Sequence, residues 1–248
     1  MTKARSPVPH TGERAFPFPS RLPGAGVRRR YADAMPTRQQ QKAETRSAIL
    51  HAAATEFATQ GFAAATFSSI AARMGRPKSA LSYYQFRSKD EMACAIVEEQ
   101  FAVWERFHAA ALAQAPAGLP RLLSLLLTTA LDTRSGPYGG ATVRLLLERT
   151  RRGIDLPEPP FDWTAFIRGE VEEAVASGQL PPSSSVQEVA DMITSTSFGV
   201  YEADNQGLRP VDLRVELPQM WRKLLTGLGA RDADGLISAV VDLSTEPS

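Results

Sequence analysis

Apolar side chains recur three and four positions apart along most of this chain, which is the spacing of a helix with one buried face. No stretch alternates for long in the way that a half-buried strand does. The sequence therefore predicts an all-α protein. The expected helices cover about 38–60, 66–74, a short helix from Pro77, a longer one from Ser88, and then about 119–134, 139–151, 162–177, 185–205, 211–228 and 232–243.

Local signals place two short helices between two longer ones near the start of the ordered chain. Thr66 can cap the first short helix and Gly75 ends it. Pro77 suits the first turn of the second short helix, because its missing N–H costs nothing there. Ser88 can cap the long helix that follows. This order predicts a helix-turn-helix at about 66–86, whose second helix would enter the major groove of DNA.

The second short helix is mostly polar, so few of its side chains can pack in a core and most could contact a polar partner. Ala80 and Leu81 are its apolar residues, and we expect them to pack inward. Lysine and hydroxyl side chains suit phosphates and base edges, and free N–H groups at helix starts bind phosphate. An ordinary exposed helix would explain the polarity but not two adjacent tyrosines. The side chains expected to point outward are Lys78, Ser79, Ser82 and Tyr83.

Charge is distributed unevenly, although the net charge of the chain is only +1. Seven basic and two acidic residues precede Met35, and eight basic and two acidic residues lie in 37–89. The rest carries thirteen basic and twenty-three acidic residues. A basic segment joined to an acidic body is typical of a nucleic-acid-binding protein with a separate second domain. Residues 1–36 are rich in Pro, Gly and Arg, so we expect a disordered basic tail, with Met35 as an alternative start.

Little in the sequence favours an enzyme. The three histidines lack metal-ligand spacing, and no HExxH, CxxC, phosphate-binding glycine loop or GxSxG occurs. We therefore expect no catalytic residues, no metal and no cofactor. The single cysteine fits a reducing compartment, and no apolar run reaches the ~20 residues that a membrane span needs. These features predict a cytoplasmic, nucleoid-associated protein without a membrane role.

The segment TRSAILHAAATEFATQGFAAATFSSIAARMGRPKSALSYYQFRSKDEM resembles the DNA-binding domain of the tetracycline-repressor (TetR) family. The resemblance implies a DNA-binding domain over 37–89 and a helical ligand-binding and dimerisation domain over 90–243. One extra residue between Leu81 and Phe86 would turn the end of the helix by roughly 100°, so which of residues 82–85 faces DNA stays open. The DNA contacts that the resemblance and the helix surface together indicate are Arg46, Thr66, Lys78, Ser79, Ser82, Tyr83, Tyr84, Gln85 and Lys89.

The C-terminal half is similar to the ligand domain of γ-butyrolactone autoregulator receptors and their pseudo-receptor relatives. The similarity lies in GPYGGATVRLLLE, LPEPPFDW, AVASGQL, VADMITSTSFGV and LPQMW. It implies that Trp163 lines a ligand pocket, although a tryptophan at a helix start more often fills a core. It also implies that the helices at about 185–205 and 211–228 pair with their copies in a homodimer. Pro218 is expected to perturb the second of these helices unless it lies in the first turn.

These observations predict a ligand-responsive DNA-binding regulator, a repressor released from a palindromic operator by a small apolar inducer such as a γ-butyrolactone. Two alternatives stay open. One is a TetR-type regulator of a drug-efflux or other metabolic gene that senses a different apolar ligand. The other is a helical interaction protein that does not bind DNA.

Overall fold

A computed structural model describes residues 37–77 and 86–244, and all nine regular elements in these ranges are helices. The structure confirms the predicted all-α class and the predicted order of the helices that it describes. The predicted basic tail at 1–36 and the helix from Pro77 fall outside the described residues. The helices are α1 (Arg38–Ala64), α2 (Phe67–Arg73), α3 (Lys89–Gln114), α4 (Leu119–Ser135), α5 (Pro137–Arg152), α6 (Trp163–Ala176), α7 (Val186–Asn205), α8 (Leu213–Gly227) and α9 (Ala233–Ser238).

The described residues divide after Glu44 into a short first unit and a second unit that holds everything from Thr45 onward. In the first unit the Thr37 hydroxyl accepts from the Gln40 N–H, while the Gln40 side chain accepts from the Thr37 N–H. This reciprocal pair satisfies free donors at the start of α1, as a capping box does.

Side-chain caps fix the starts of three helices in the second unit, and the sequence predicts those at Thr66 and Ser88. Thr66 accepts from the Ser69 N–H, and Ser88 accepts from the Glu91 N–H. Asp162 accepts from the Ala165 N–H at the start of α6. Each cap removes one unsatisfied donor of a first helical turn, a contribution of about 1 kcal/mol. The capping residues therefore position α2, α3 and α6 locally, before any long-range packing.

Two hydrophobic cores organise the second unit. The first is built from α1, α2, α3 and α5, with Phe57, Ile70, Ile96 and Leu145 among its buried side chains. The second is built from α4, α6, α7, α8 and α9 around the fully buried Trp221. Val143 of α5 packs against both cores. Helix α5 thus connects the core beneath the helix-turn-helix segment to the core of the C-terminal helices.

Two predictions about the C-terminal helices are wrong. The last helix ends at Ser238 rather than near 243, because the N–H groups of Val241 and Leu243 donate to hydroxyls of α4 instead of helical carbonyls. Pro218 does not interrupt α8, which continues from Leu213 to Gly227. The buried stripe of Leu217, Trp221 and Leu225 holds that helix in place and offsets the lost backbone hydrogen bond.

Candidate functional site

Most of the predicted DNA-reading side chains lie outside the described residues. These are Lys78, Ser79, Ser82, Tyr83, Tyr84 and Gln85, and their assignment stays a prediction. Arg46, Thr66 and Lys89 are described, and each occupies a different local setting.

Thr66 is exposed at the start of α2, where its hydroxyl and the Ser69 side chain form a reciprocal capping box. Its hydroxyl therefore already accepts one backbone hydrogen bond. The O–H hydrogen and a second lone pair remain for another partner. The position is compatible with the predicted contact to a phosphate.

Arg46 lies exposed on α1 between a carboxylate and an aromatic ring. Its guanidinium is 3.3 Å from the Glu99 carboxylate of α3 and 5.1 Å from the centre of the Phe86 ring. Both partners of the ion pair are about half exposed, so the pair contributes roughly 0–1 kcal/mol. A competing phosphate could therefore replace Glu99 at small cost.

Lys89 has a structural role that the sequence did not reveal. Its ammonium donates to the Phe62 carbonyl at 2.7 Å and to the Ala65 carbonyl at 2.8 Å. It also lies 4.6 Å from the centre of the Phe62 ring. Two of its three donors hold the connection between α1 and α2, which leaves one donor for the predicted DNA contact.

A buried carboxylate joins α1 to α2. Glu56 accepts from the Arg73 guanidinium, with oxygen–nitrogen distances of 2.7 and 2.6 Å. Burial opposes ionisation of Glu56, but hydrogen bonds from Ser69 and Arg73 outweigh it and lower the pKa of the carboxyl below its usual value. The ion pair fixes the angle at which α2 leaves α1.

An apolar cavity of about 140 Å³ lies among α4, α5, α7 and α8. Leu126, Val143, Phe198 and Leu217 give it hydrocarbon walls, so the site suits an apolar molecule. Its remaining lining residues are Thr129, Ala130, Thr133, Thr194, Ser197 and Tyr201.

Two hydroxyl groups at this cavity are buried without a hydrogen-bond partner among the described residues. They belong to Thr129 and Tyr201. Burial raises the pKa of the Tyr201 phenol, so it stays a neutral donor at physiological pH. Unsatisfied buried hydroxyls cost about 1–3 kcal/mol each, and a bound molecule with hydrogen-bond acceptors would recover part of that cost.

Trp163 lies elsewhere, half-buried in the first turn of α6. Its ring packs edge-on to Trp104 at 5.9 Å and tilted against Phe161 at 4.6 Å. It borders an open depression formed by residues 158–164 and does not line the apolar cavity. The described geometry thus separates Trp163 from the apolar cavity.

His108 extends the aromatic cluster beside Trp163. Its ring stacks on Phe161 at 4.1 Å and meets Phe166 edge-on at 5.0 Å. Burial lowers the pKa of His108 against the opposing influence of Glu170.

Within 37–77 and 86–244, no group of His, Cys, Asp or Glu side chains could hold a metal ion. None of the helices described is both long and apolar enough to cross a bilayer.

Comparison with known proteins finds a family match in the N-terminal part of the described chain. Residues 49–96 match the sequence profile "Bacterial regulatory proteins, tetR family". Residues 49–96 therefore carry a tetR-family domain. The matched stretch begins in α1 and ends in α3, so it contains the predicted helix-turn-helix and the first part of the first core.

Relatives of this chain extend the similarity into the C-terminal helices. The A-factor receptor protein of Streptomyces griseus is 27% identical over 191 residues. That alignment covers 77% of this chain and 66% of the relative, just under two thirds of its length. The TetR family protein CprB from Streptomyces coelicolor, solved with its biological operator sequence, is 25% identical with a TM-score of 0.64, covering 80% of this chain and 95% of that one. A γ-butyrolactone receptor described as ArpA-like shares the fold, with a TM-score of 0.64 and 24% identity over 80% of this chain and 96% of that one.

The sequence did not predict the residues that form the apolar cavity. Tyr201 and Thr129 lie on α7 and α4, 72 positions apart, and only tertiary packing brings them to one cavity. A weak signal was present. Thr129, Thr133, Thr194 and Ser197 are polar residues inside apolar helical stripes, where a core would be expected to hold hydrocarbon.

Proposed function

We propose that this chain is a DNA-binding transcriptional regulator that a small, mainly apolar molecule releases from a palindromic operator. The observation that carries the proposal is an apolar cavity with two unpartnered hydroxyls in a chain whose residues 49–96 match the tetR family. The predicted direction of control is repression, relieved by the ligand. We infer no catalytic step.

Charge and exposure support DNA as the partner. The segment 37–89 carries eight basic and two acidic residues. Arg46 is held by a half-exposed ion pair with Glu99 and by the Phe86 ring, and Thr66 is exposed at the start of α2. Such groups contact phosphates, which position a protein on the duplex without reading its sequence. The similarity to CprB, a protein solved with its operator, points the same way.

The cavity supports a small neutral ligand. Its walls are hydrocarbon, several of its lining residues carry hydroxyl groups, and none of them is charged. A γ-butyrolactone fits this chemistry, because its ring and alkyl chain are apolar while its carbonyl accepts hydrogen bonds. The names of the A-factor receptor and the ArpA-like receptor suggest the same class. A different apolar ligand remains the alternative, since the walls themselves select only for apolar character.

Exposed apolar side chains on α7 and α8 support the homodimer. Met192 and Phe198 on α7 are 41% and 40% exposed, and Val215 on α8 is 49% exposed. The inner faces of these helices are already filled by Ile193, Leu217 and other core residues. Pairing of two copies through these helices would cover the exposed side chains and set two DNA-binding segments for a two-fold symmetric site.

The experiment starts with DNA selection. Full-length protein selects duplexes from a pool with randomised inverted repeats, and fluorescence anisotropy measures affinity with and without γ-decalactone, a lactone ring with an alkyl chain. We expect an enriched inverted repeat and at least tenfold weaker binding with the lactone. Failure to enrich any repeat would refute DNA regulation, and release only by a non-lactone apolar compound would support the alternative ligand.

Two conservative variants test the cavity itself. Tyr201→Phe and Thr129→Val each remove one hydroxyl and little volume, so we expect unchanged operator affinity and a lactone response shifted about three- to tenfold to higher concentration. Thr196→Val is the matched control, because Thr196 lies on α7 but does not line the cavity. An equal shift in all three variants would remove the cavity from the ligand site.

A further inference from the structure

A kink near the end of α1 meets two charged side chains of α5. Gly61 has φ 79° and ψ 168°, a conformation that is open essentially to glycine alone. A Cβ atom built on Gly61 would lie 2.5 Å from a carboxylate oxygen of Glu148 and 2.9 Å from a guanidinium nitrogen of Arg144. The missing side chain thus makes room for an ion pair from the C-terminal half of the chain.

Arg144 bonds directly to the backbone before the kink. One guanidinium nitrogen donates to the Ala58 carbonyl at 3.1 Å and to the Thr59 carbonyl at 3.2 Å. Another donates to Glu148 at 3.3 Å, which holds the guanidinium in place. Carbonyls at the end of a straight helical run lack intrahelical partners and carry partial negative charge, so a cation is favoured there. The Arg144–Glu148 pair therefore acts as a C-cap supplied by α5.

The other side of the same connection is held by Lys89, through the carbonyls of Phe62 and Ala65. Thr66, the cap of α2, follows at once. Six residues from Phe62 to the first residue of α2 are therefore positioned by Arg144 on one side and Lys89 on the other. A shift of Arg144 would change the direction in which α2 starts.

The neighbour of Arg144 in sequence faces the cavity. Val143 lines the apolar cavity, while Arg144 and Glu148 lie on the side of α5 that touches α1. Gly140, one turn earlier, brings α5 close to Ala58, since a Cβ there would lie 3.6 Å from the Ala58 methyl group. Movement of α5 by a molecule in the cavity would therefore move the cap on α1.

We propose that Arg144 is the positioning residue that couples occupancy of the cavity to the orientation of the helix-turn-helix, with Glu148 holding its guanidinium. This inference rests on the proposed function and adds the route by which a bound ligand would change DNA binding. When the cavity is filled, α5 shifts, the Arg144 bonds to Ala58 and Thr59 weaken, and α2 reorients. A ligand acts this way only through its different affinity for the two arrangements.

A double-mutant cycle tests the proposal without a known ligand. Ala130→Leu fills part of the cavity and takes the place of a ligand, and Arg144→Gln removes the cap. The readout is anisotropy with the duplex that the wild-type protein selects. We expect Ala130→Leu to weaken binding about tenfold in the wild-type background and less than twofold beside Arg144→Gln, a coupling of at least about 1 kcal/mol.

Matched variants separate coupling from mere stabilisation. Arg151→Gln removes a cation of α5 that has no ion pair in the described part of the chain, so the tenfold effect of Ala130→Leu should persist beside it. Arg144→Lys keeps a donor for the carbonyls and should restore most of the coupling. If Arg144→Gln does not fold, Glu148→Gln takes its place in the cycle.

The outcomes distinguish the two claims. An equal tenfold effect of Ala130→Leu with and without Arg144 would overturn the role of Arg144 but leave the cavity as the control site. No effect of Ala130→Leu in either background would overturn both the cavity as a control site and the coupling through Arg144. If Ala130→Leu weakens binding less than twofold beside Arg151→Gln as well, the lost effect reflects charge in general. That result would also overturn the role of Arg144.

Discussion

The indole N–H of Trp221 donates to the Ser197 hydroxyl at 2.8 Å, and both side chains are buried. This bond joins α8 to α7 at the wall of the apolar cavity. The Ser197 hydroxyl in turn donates to the Ile193 carbonyl, so both groups are satisfied. The largest side chain of the second core is thereby fixed in orientation as well as buried.

Ser197→Ala should therefore destabilise the protein. The substitution leaves the Trp221 N–H buried without an acceptor, which costs about 1–3 kcal/mol. Urea unfolding followed by circular dichroism measures the change. Ser195→Ala, on the exposed face of the same helix, should change the stability by less than about 0.5 kcal/mol. Equal stability of both variants would mean that the bond contributes nothing.

Gly61→Ala and Gly75→Ala form a matched pair at two glycines with positive φ, 79° and 63°. Nothing lies within 4 Å of a Cβ at Gly75, whereas one at Gly61 would displace Arg144 and Glu148. We expect Gly75→Ala to cost about 1 kcal/mol of backbone strain and Gly61→Ala about 2–4 kcal/mol. Thermal unfolding compares them. A smaller loss at Gly61 than at Gly75 would contradict the tight contact with α5.

Glu56 should make the stability of the protein depend on pH. Its pKa is lowered in the folded state, so its contribution is present above the unfolded value of 4.5 and is lost as pH falls through the lower folded value. Glu56→Gln should be less stable than wild type by about 1–3 kcal/mol at pH 7, and the difference should shrink below about pH 4.5. Urea unfolding at pH 7, 5 and 3.5 tests this.

The control for Glu56 is Glu105→Gln, an exposed carboxylate of α3. It should change the stability little at any of the three pH values. A difference between wild type and Glu56→Gln that grows as pH falls would have the wrong sign and would contradict the role of the Arg73 pair.

Local features of the sequence predicted the local features of the fold. The Thr66 and Ser88 caps depend on residues three positions apart, and both are present. The end of the last helix was missed because the hydroxyls that capture Val241 and Leu243 are 117 and 115 residues away. The Arg144 cap on α1 spans 86 and 85 residues. Contacts at such separations leave no pattern in a single sequence.

The two ligand locations can be separated with Trp163→Ala. Trp163 is half-buried against Trp104 and Phe161, so truncation should lower stability by about 1–3 kcal/mol, less than for a fully buried indole. If the cavity is the ligand site, the γ-decalactone response of the folded protein should stay within about twofold of wild type, because the ring is not part of the cavity walls.

The same variant has a clear opposite outcome. A stable Trp163→Ala protein that binds operator normally but no longer responds to the lactone would place the ligand beside Trp163, as the resemblance to lactone receptors implies. Melting temperature, operator affinity and lactone response measured on one preparation give the answer. Tyr201→Phe, measured in parallel, should show the reverse pattern, with full stability and a weakened response.

The central claim is sequence-specific binding of DNA by a two-fold symmetric protein. The most direct measurement is the affinity of the wild-type chain for its selected inverted repeat, compared with a scrambled duplex, between ~50 and ~200 mM salt. We expect two protomers per duplex, at least 10³-fold preference for the repeat, and a loss of affinity of about 10³-fold over that salt range. Equal affinity for both duplexes, or no binding to either at ~50 mM salt, would contradict it.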